Sequence, residues 1–183
     1  RDSRHASMIL TARQLIGWSF AAALVAGLPL RGADDVWQKM SQFEFQAAFD
    51  ALSHTGASLN RSEKVGSALA ALNRQPKTAG NTVDAEEKLA AVVRDDARDD
   101  AGLWARYFLA RLEQWHRNPV QPVAAVKMYR ALIADNPSHA AAQRALVKLA
   151  VLLIYEPAVE PSRAAGLLAA AELLPRATER EVR

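Results

Sequence analysis

No cysteine occurs in the 183 residues. That absence excludes disulfide staples, thiolate metal sites, a cysteine nucleophile and a lipidated cysteine, and it leaves the redox compartment unreadable. Glycine and proline number only eight each, and runs of alternating β-branched residues are missing, so the pattern of a sheet is absent. An excess of charge of one sign is also missing from most of the chain. Residues 1 to 33 hold Arg1, Arg4, Arg13 and Arg31 against Asp2, which leaves 19 basic and 19 acidic side chains in residues 34 to 183. The pI near 9.4 therefore comes from the N-terminal stretch, and the neutral remainder carries no electrostatic footprint for a phosphate backbone. No nucleic-acid partner is expected.

What is present is apolar surface and alanine. Half of the residues are hydrophobic, enough for one domain with a sizeable core, and the abundance of alanine favours helix. The expected fold class is all-α.

The stretch "LIGWSFAAALVAGLPL", residues 15 to 30, is an uncharged run of 16 preceded by Arg1, Arg4 and Arg13. As a helix it would cover about 24 Å, short of the ~30 Å hydrocarbon core, and the order of basic, apolar and small residues resembles a secretory signal peptide. Residues 1–33 are therefore read as a signal peptide or, if retained, a membrane anchor, with cleavage after Gly27 or after Ala33 and with Met8 as a candidate start. The expected location is the periplasm or the cell envelope.

From Asp34 onward helical stripes alternate with connectors. Residues 36 to 52 carry Val36, Met40, Phe43 and Ala47; 61 to 73 carry Val65, Leu69 and Leu72; 84 to 94 carry Ala85, Leu89, Val92 and Val93. "RQPKTAGNT", residues 74 to 82, is a connector in which Asn81 or Thr82 can cap the next helix. Residues 101 to 116 place Trp104, Phe108, Leu112 and Trp115 on one face, and "RNPVQP" then interrupts the chain. A helix from about 122 to 135 stops at Asn136-Pro137, because proline disfavours α conformation in the residue before it. Ser138 can cap the next helix, to about Tyr155, and a last helix spans about Arg163 to Leu174.

The spacings recur. Ala85, Leu89 and Val92 repeat the +4, +3 pattern of Ala125, Tyr129 and Leu132, and Ala164, Leu168 and Ala171 repeat it again, at offsets of 40 and 39 residues. Ala125 permits close approach of two helices, Tyr129 fills the space beside it, Leu132 packs one turn further on, and Pro137 ends the segment. With Trp104 and Tyr107 at the large positions of the preceding helix, residues 101 to 156 resemble tetratricopeptide repeats, although the period is longer than their ~34 residues and Phe108 stands where a small residue is usual. The resemblance implies a right-handed α-solenoid of antiparallel helix hairpins over residues 34–183, following the apolar N-terminal segment.

Catalytic chemistry finds little support. His5, His54, His116 and His139 are scattered without a two-ligand helical spacing, so His116 and His139 read as capping or surface residues. In "RDDARDD", Asp95, Asp96, Asp99 and Asp100 lack the glycine and distal glutamate of an EF-hand, and Asp99 or Asp100 suits the N-terminus of the helix beginning near Ala101. No phosphate loop, nucleophile elbow or paired catalytic carboxylate appears. The aromatics at 104, 107, 108, 115 and 129 read first as core.

The expectation is thus a non-enzymatic protein–protein interaction scaffold with no cofactor, offering a helical-repeat groove to a peptide or protein partner. Arg106, Arg111, Gln143 and Arg144 are the candidate groove contacts. The alternatives are a self-assembling fragment of a longer solenoid and an accessory subunit of an envelope enzyme complex.

Overall fold

The computed structural model describes residues 34–53 and 59–177; the apolar run at 15–30 and its cleavage points lie outside these residues, as does His54. Among the described residues the protein is all-helical, with eight α-helices, a closing 3-10 turn and no strand.

The first two helices are α1 (Asp34–Ser41) and α2 (Phe45–Ser53), where the sequence predicts one helix over 36–52. The break has a clear physical cause. The amide of Glu44 donates to the carbonyl of Lys39 and that of Phe43 to Met40, which caps α1 in a Schellman arrangement with Phe43 at φ 63°. This left-handed turn carries the Phe43 ring into solvent, 50% exposed, and moves the buried positions of α2 to Ala48 and Leu52, leaving Ala47 outside.

Six helices follow: α3 (Arg61–Asn73), α4 (Ala79–Asp95), α5 (Asp100–Trp115), α6 (Pro122–Asp135), α7 (Ala140–Tyr155) and α8 (Arg163–Leu173). Their starts are specified locally. Asn60 and Glu63 close a capping box on α3, and Asp99 accepts the Gly102 amide at 2.7 Å to start α5. Ser162 accepts from Ala165 at the start of α8, and Pro122 occupies the first turn of α6, where its missing amide hydrogen is harmless. Two caps differ from expectation. Thr78, not Asn81 or Thr82, opens α4, because Asn81 is buried and uses its side chain to bind Arg74, Thr78 and the Pro76 carbonyl. His139, not Ser138, caps α7, its Nδ1 accepting the Ala141 amide at 3.2 Å.

Helices α3 and α4, α5 and α6, and α7 and α8 pack as hairpins; α4 packs on α5 and α6 on α7, while α3 touches α5 and α5 touches α7. One core runs through them, with Tyr129, Leu89, Leu112, Leu132, Leu146, Val65 and Val92 fully enclosed. Arg61 ties the α4–α5 connector to α3: its guanidinium bonds both Asp99 carboxylate oxygens, at 2.7 and 2.9 Å, and the carbonyls of Val92 and Asp96. That hydrogen bonding holds the Asp99 carboxyl below the ordinary carboxylate range.

The recurring triad is buried in two places and shifted in the third. Ala85, Leu89, Val92, Ala125, Tyr129 and Leu132 are all completely buried. Ala164, Leu168 and Ala171 are exposed; Gly166, Ala170 and Leu173 occupy the inward positions instead, two residues from the expected triad. Gly166 is required by the close crossing it makes, since a Cβ there would lie 2.0 Å from the carbonyl oxygen of Leu153 on α7.

Gly166→Ala is expected to lower stability by about 2 kcal/mol through overlap with backbone that cannot step aside. Gly80→Ala, whose Cβ would sit an ordinary 3.6 Å from the Thr78 hydroxyl, is expected to gain about 0.5 kcal/mol from helix propensity. Denaturant midpoints of the two variants check this, and equal effects would contradict the assigned crossing.

Candidate binding surface

The N-caps Asn60, Asp99 and His139 set α3, α5 and α7 in a common register, 39 and 40 residues apart. Counting from the cap, the fifth residue is Val65, Trp104 or Arg144, the ninth Leu69, Phe108 or Lys148, and the twelfth Leu72, Arg111 or Val151. Steps of four and three residues keep these positions on one face of each helix. Further along the same face come Trp115 and Tyr155, 38% and 66% exposed.

Most of the aromatic concentration is core. Trp104 stacks on Phe108 with centroids 5.9 Å apart, Tyr107 meets Phe108 at 5.2 Å and Tyr129 at 6.0 Å, and all four are buried. The Tyr129 hydroxyl donates to Gln114 Oε1 at 2.8 Å inside the protein, and burial pushes its phenol well above the usual range, so it remains a neutral donor. Arg111 donates to the same oxygen at 3.2 Å and lies 5.7 Å over the Trp115 ring. Arg144 lies 5.1 Å over Trp104.

The four candidate contacts separate accordingly. Arg111 and Arg144 lie on this face. Arg106 points to α6, where it pairs with Asp135 at 2.6 Å, and Gln143 is buried with its amide donating to the Pro137 carbonyl. Sequence reasoning missed Lys148, only 6% exposed and one turn beyond Arg144. Burial, with the positive charges of Arg111 and Arg144 adding to it, lowers its pKa from 10.5 to about 7. The sequence signal for it is the alignment of the three helix caps, which puts Lys148 in a slot filled elsewhere by Leu69 and Phe108.

The acidic cluster is structural. Asp99 caps α5 and binds Arg61, Asp95 lies 3.4 Å from Arg61, and Asp100 meets His139 Nε2 at 3.0 Å. Among the described residues no group of three His, Cys, Asp or Glu side chains is placed to hold a metal ion. Nor, among them, is any helix long and apolar enough to cross a membrane. His116 caps the C-terminal end of α5, and burial, reinforced by Lys77 and Arg111, lowers its pKa from 6.5 to about 4. No family model, curated protein or solved structure matches the chain.

Two pH-dependent outcomes follow from these side chains. Between pH 6.5 and 4 the unfolded chain protonates His116 while the folded chain does not, so stability is full above that window and falls as pH drops through it, on the order of 2 kcal/mol in total. Replacing His116 with glutamine should flatten the slope over that interval in denaturant titrations. For Lys148 the unfolded chain binds the extra proton between about 7 and 10.5, so the folded state suffers its full penalty below 7 and recovers as pH rises. Lys148→Met is accordingly expected to stabilise the protein at pH 6 by on the order of 2 kcal/mol and by less at pH 9.5. A lowered melting temperature at pH 6 would contradict the burial of this charge.

Proposed function

We propose that the protein is a non-catalytic scaffold of the cell envelope: a right-handed solenoid of tetratricopeptide-like hairpins whose α3, α5 and α7 face receives a peptide or protein partner. The supporting observation is the shared register of those three helices, which repeats the same side-chain positions along one surface and leaves Trp115 and Tyr155 accessible on it. Stacked hairpins present an extended surface of this kind without any reactive group. Aromatic side chains suit such contacts, because they cover large area and fix few rotatable bonds on docking. The period of 39 to 40 residues, longer than the usual ~34, is accommodated by the connectors between helices.

A second reading is favoured by α8. Its Leu167 and Leu168 are exposed among the described residues, with Ala164 and Ala171 beside them. Self-assembly through this face makes the protein a unit of a larger array.

The two readings separate in a photo-crosslinking experiment on the full chain in envelope extracts. A crosslinking amino acid at Trp115 or Tyr155 is expected to trap one partner of defined mass, while the same group at Val83 or Val123, exposed on α4 and α6, traps none. Equal yields at all four positions would remove the scaffold reading. A crosslinked homodimer obtained only from Leu168 would favour assembly.

A further inference from the structure

The close crossing at Gly166 fixes how α8 is turned. Gly166, Ala170 and Leu173 face inward, and the opposite side of the helix carries Arg163, Ala164, Leu167, Leu168, Ala171 and Glu172, all exposed among the described residues. Leu168 is 70% exposed, more than any other large apolar side chain there. Steps of four residues set these side chains in two adjacent rows, Arg163, Leu167 and Ala171 in one and Ala164, Leu168 and Glu172 in the other. The order along this side reads alike in both directions. The midpoint between Leu167 and Leu168 is also the midpoint between Ala164 and Ala171 and between Arg163 and Glu172, so leucine balances leucine, alanine balances alanine and a cation balances an anion.

Both charges stand against the field of their own helix. Arg163 occupies the first position of α8 and Glu172 the last turn, with no acidic side chain in the first turn and no basic one in the last. The partial positive charge of a helix start disfavours a cation, and the partial negative charge of its end disfavours an anion. A second helix running the opposite way brings a carboxylate to the start and a guanidinium to the end, which reverses both effects at once.

We propose that α8 is the contact of a closed two-fold dimer, packed antiparallel on α8 of a second copy with the axis between Leu167 and Leu168. The proposal rests on the reading of this face as an assembly surface, and names its occupant and register. When two helices cross at about −50°, rows spaced by four residues interdigitate. That packing centres the leucines on the axis, sets Ala164 beside Ala171 of the second copy, and places Arg163 opposite Glu172 of the second copy at each end. Both copies use the same face, so assembly stops at two chains instead of propagating. The stripe is smaller than a standard interface, and the dimer is accordingly expected to be reversible and in the micromolar range.

Because the chain has no cysteine, one added thiol reports the contact unambiguously. The full chain carrying Leu168→Cys is expected to be trapped as a disulfide dimer under mild oxidation, while Val83→Cys, exposed on α4, stays monomeric. Adding Arg163→Glu or Glu172→Arg to the Leu168→Cys chain is expected to cut trapping about tenfold, because each reversal sets like charges together. Mixing the two reversed chains restores it, since the copy with two carboxylates then meets the copy with two guanidinium groups; both reversals in one chain restore it as well. Such a rescue cannot arise from a helix damaged by the substitutions. Dimers that ignore the reversals, or are not restored by mixing, overturn the antiparallel register while leaving self-assembly standing. No dimer at Leu168→Cys, or equal trapping at Val83→Cys, overturns the contact and the assembly reading together, and a thiol at that position that neither crosslinks nor reacts with an alkylating reagent assigns the face to another segment of the same chain. The scaffold reading is decided separately, at Trp115 and Tyr155.

Discussion

Close approach of successive helices is the constraint on which the rest of this protein depends. Ala85 and Ala125 are completely enclosed where α4 and α6 cross their neighbours, and Gly166 meets the backbone of α7 directly. Gly102 makes a similar demand at the start of α5, where a Cβ would fall 2.0 Å from the Asp96 carbonyl. Residues this small let backbones pack with little between them, and each crossing then fixes both the distance and the rotation of the next helix. Arg61 secures the same geometry from outside, because its guanidinium spans the end of α4, the connector and the cap of α5. A repeat of nearly constant length is the consequence, and with it the alignment of α3, α5 and α7.

Alignment creates both the core and the surface, and a single face holds some of each. In the first hairpin that face is Val65, Leu69 and Leu72, all buried; in the second it is mostly aromatic; in the third it is cationic. Packing therefore gives way to charge along the stack. The change works against stability at Lys148, where burial and two like charges both disfavour the ammonium. Indole contacts soften the penalty for the arginines by covering their planar faces while leaving their edges able to donate.

Much of the helical layout was legible in the chain because punctuation residues act locally. Asn136-Pro137 stops α6 where expected, Asp99 starts α5, and α3 spans 61–73 as the pattern predicts. Errors arose where local signals were degenerate or overridden. Phe43 reads as a helical core position, yet the hydrogen bonds that close α1 set it in a left-handed turn. Alanine hardly distinguishes one face of a helix from another, so in α8 the expected triad falls two residues away from Gly166, Ala170 and Leu173. The α7–α8 connector, 156–162, is one residue longer than 116–121 and adds to that slip. Of the candidate surface, Arg111 and Arg144 were legible, since polar residues on first helices are natural contacts. Lys148 was not, because a lysine on a helix reads as solvent-facing until the three caps are superposed.

Each hairpin draws stability from its neighbours, and α4 and α6 are both covered by the helix that follows them. Leu167 stands 41 residues after Val126, which is buried against the next helix, whereas Leu167 is about half exposed. Among the described residues the outer side of α8 is thus less covered than that of α6, and its hairpin is the one that contributes Arg144 and Lys148. Because α8 packs on α7 through the close crossing at Gly166, a contact that orders α8 also steadies α7. Docking on α8 would therefore bear on the face formed by α5 and α7, because α7 belongs to both packings.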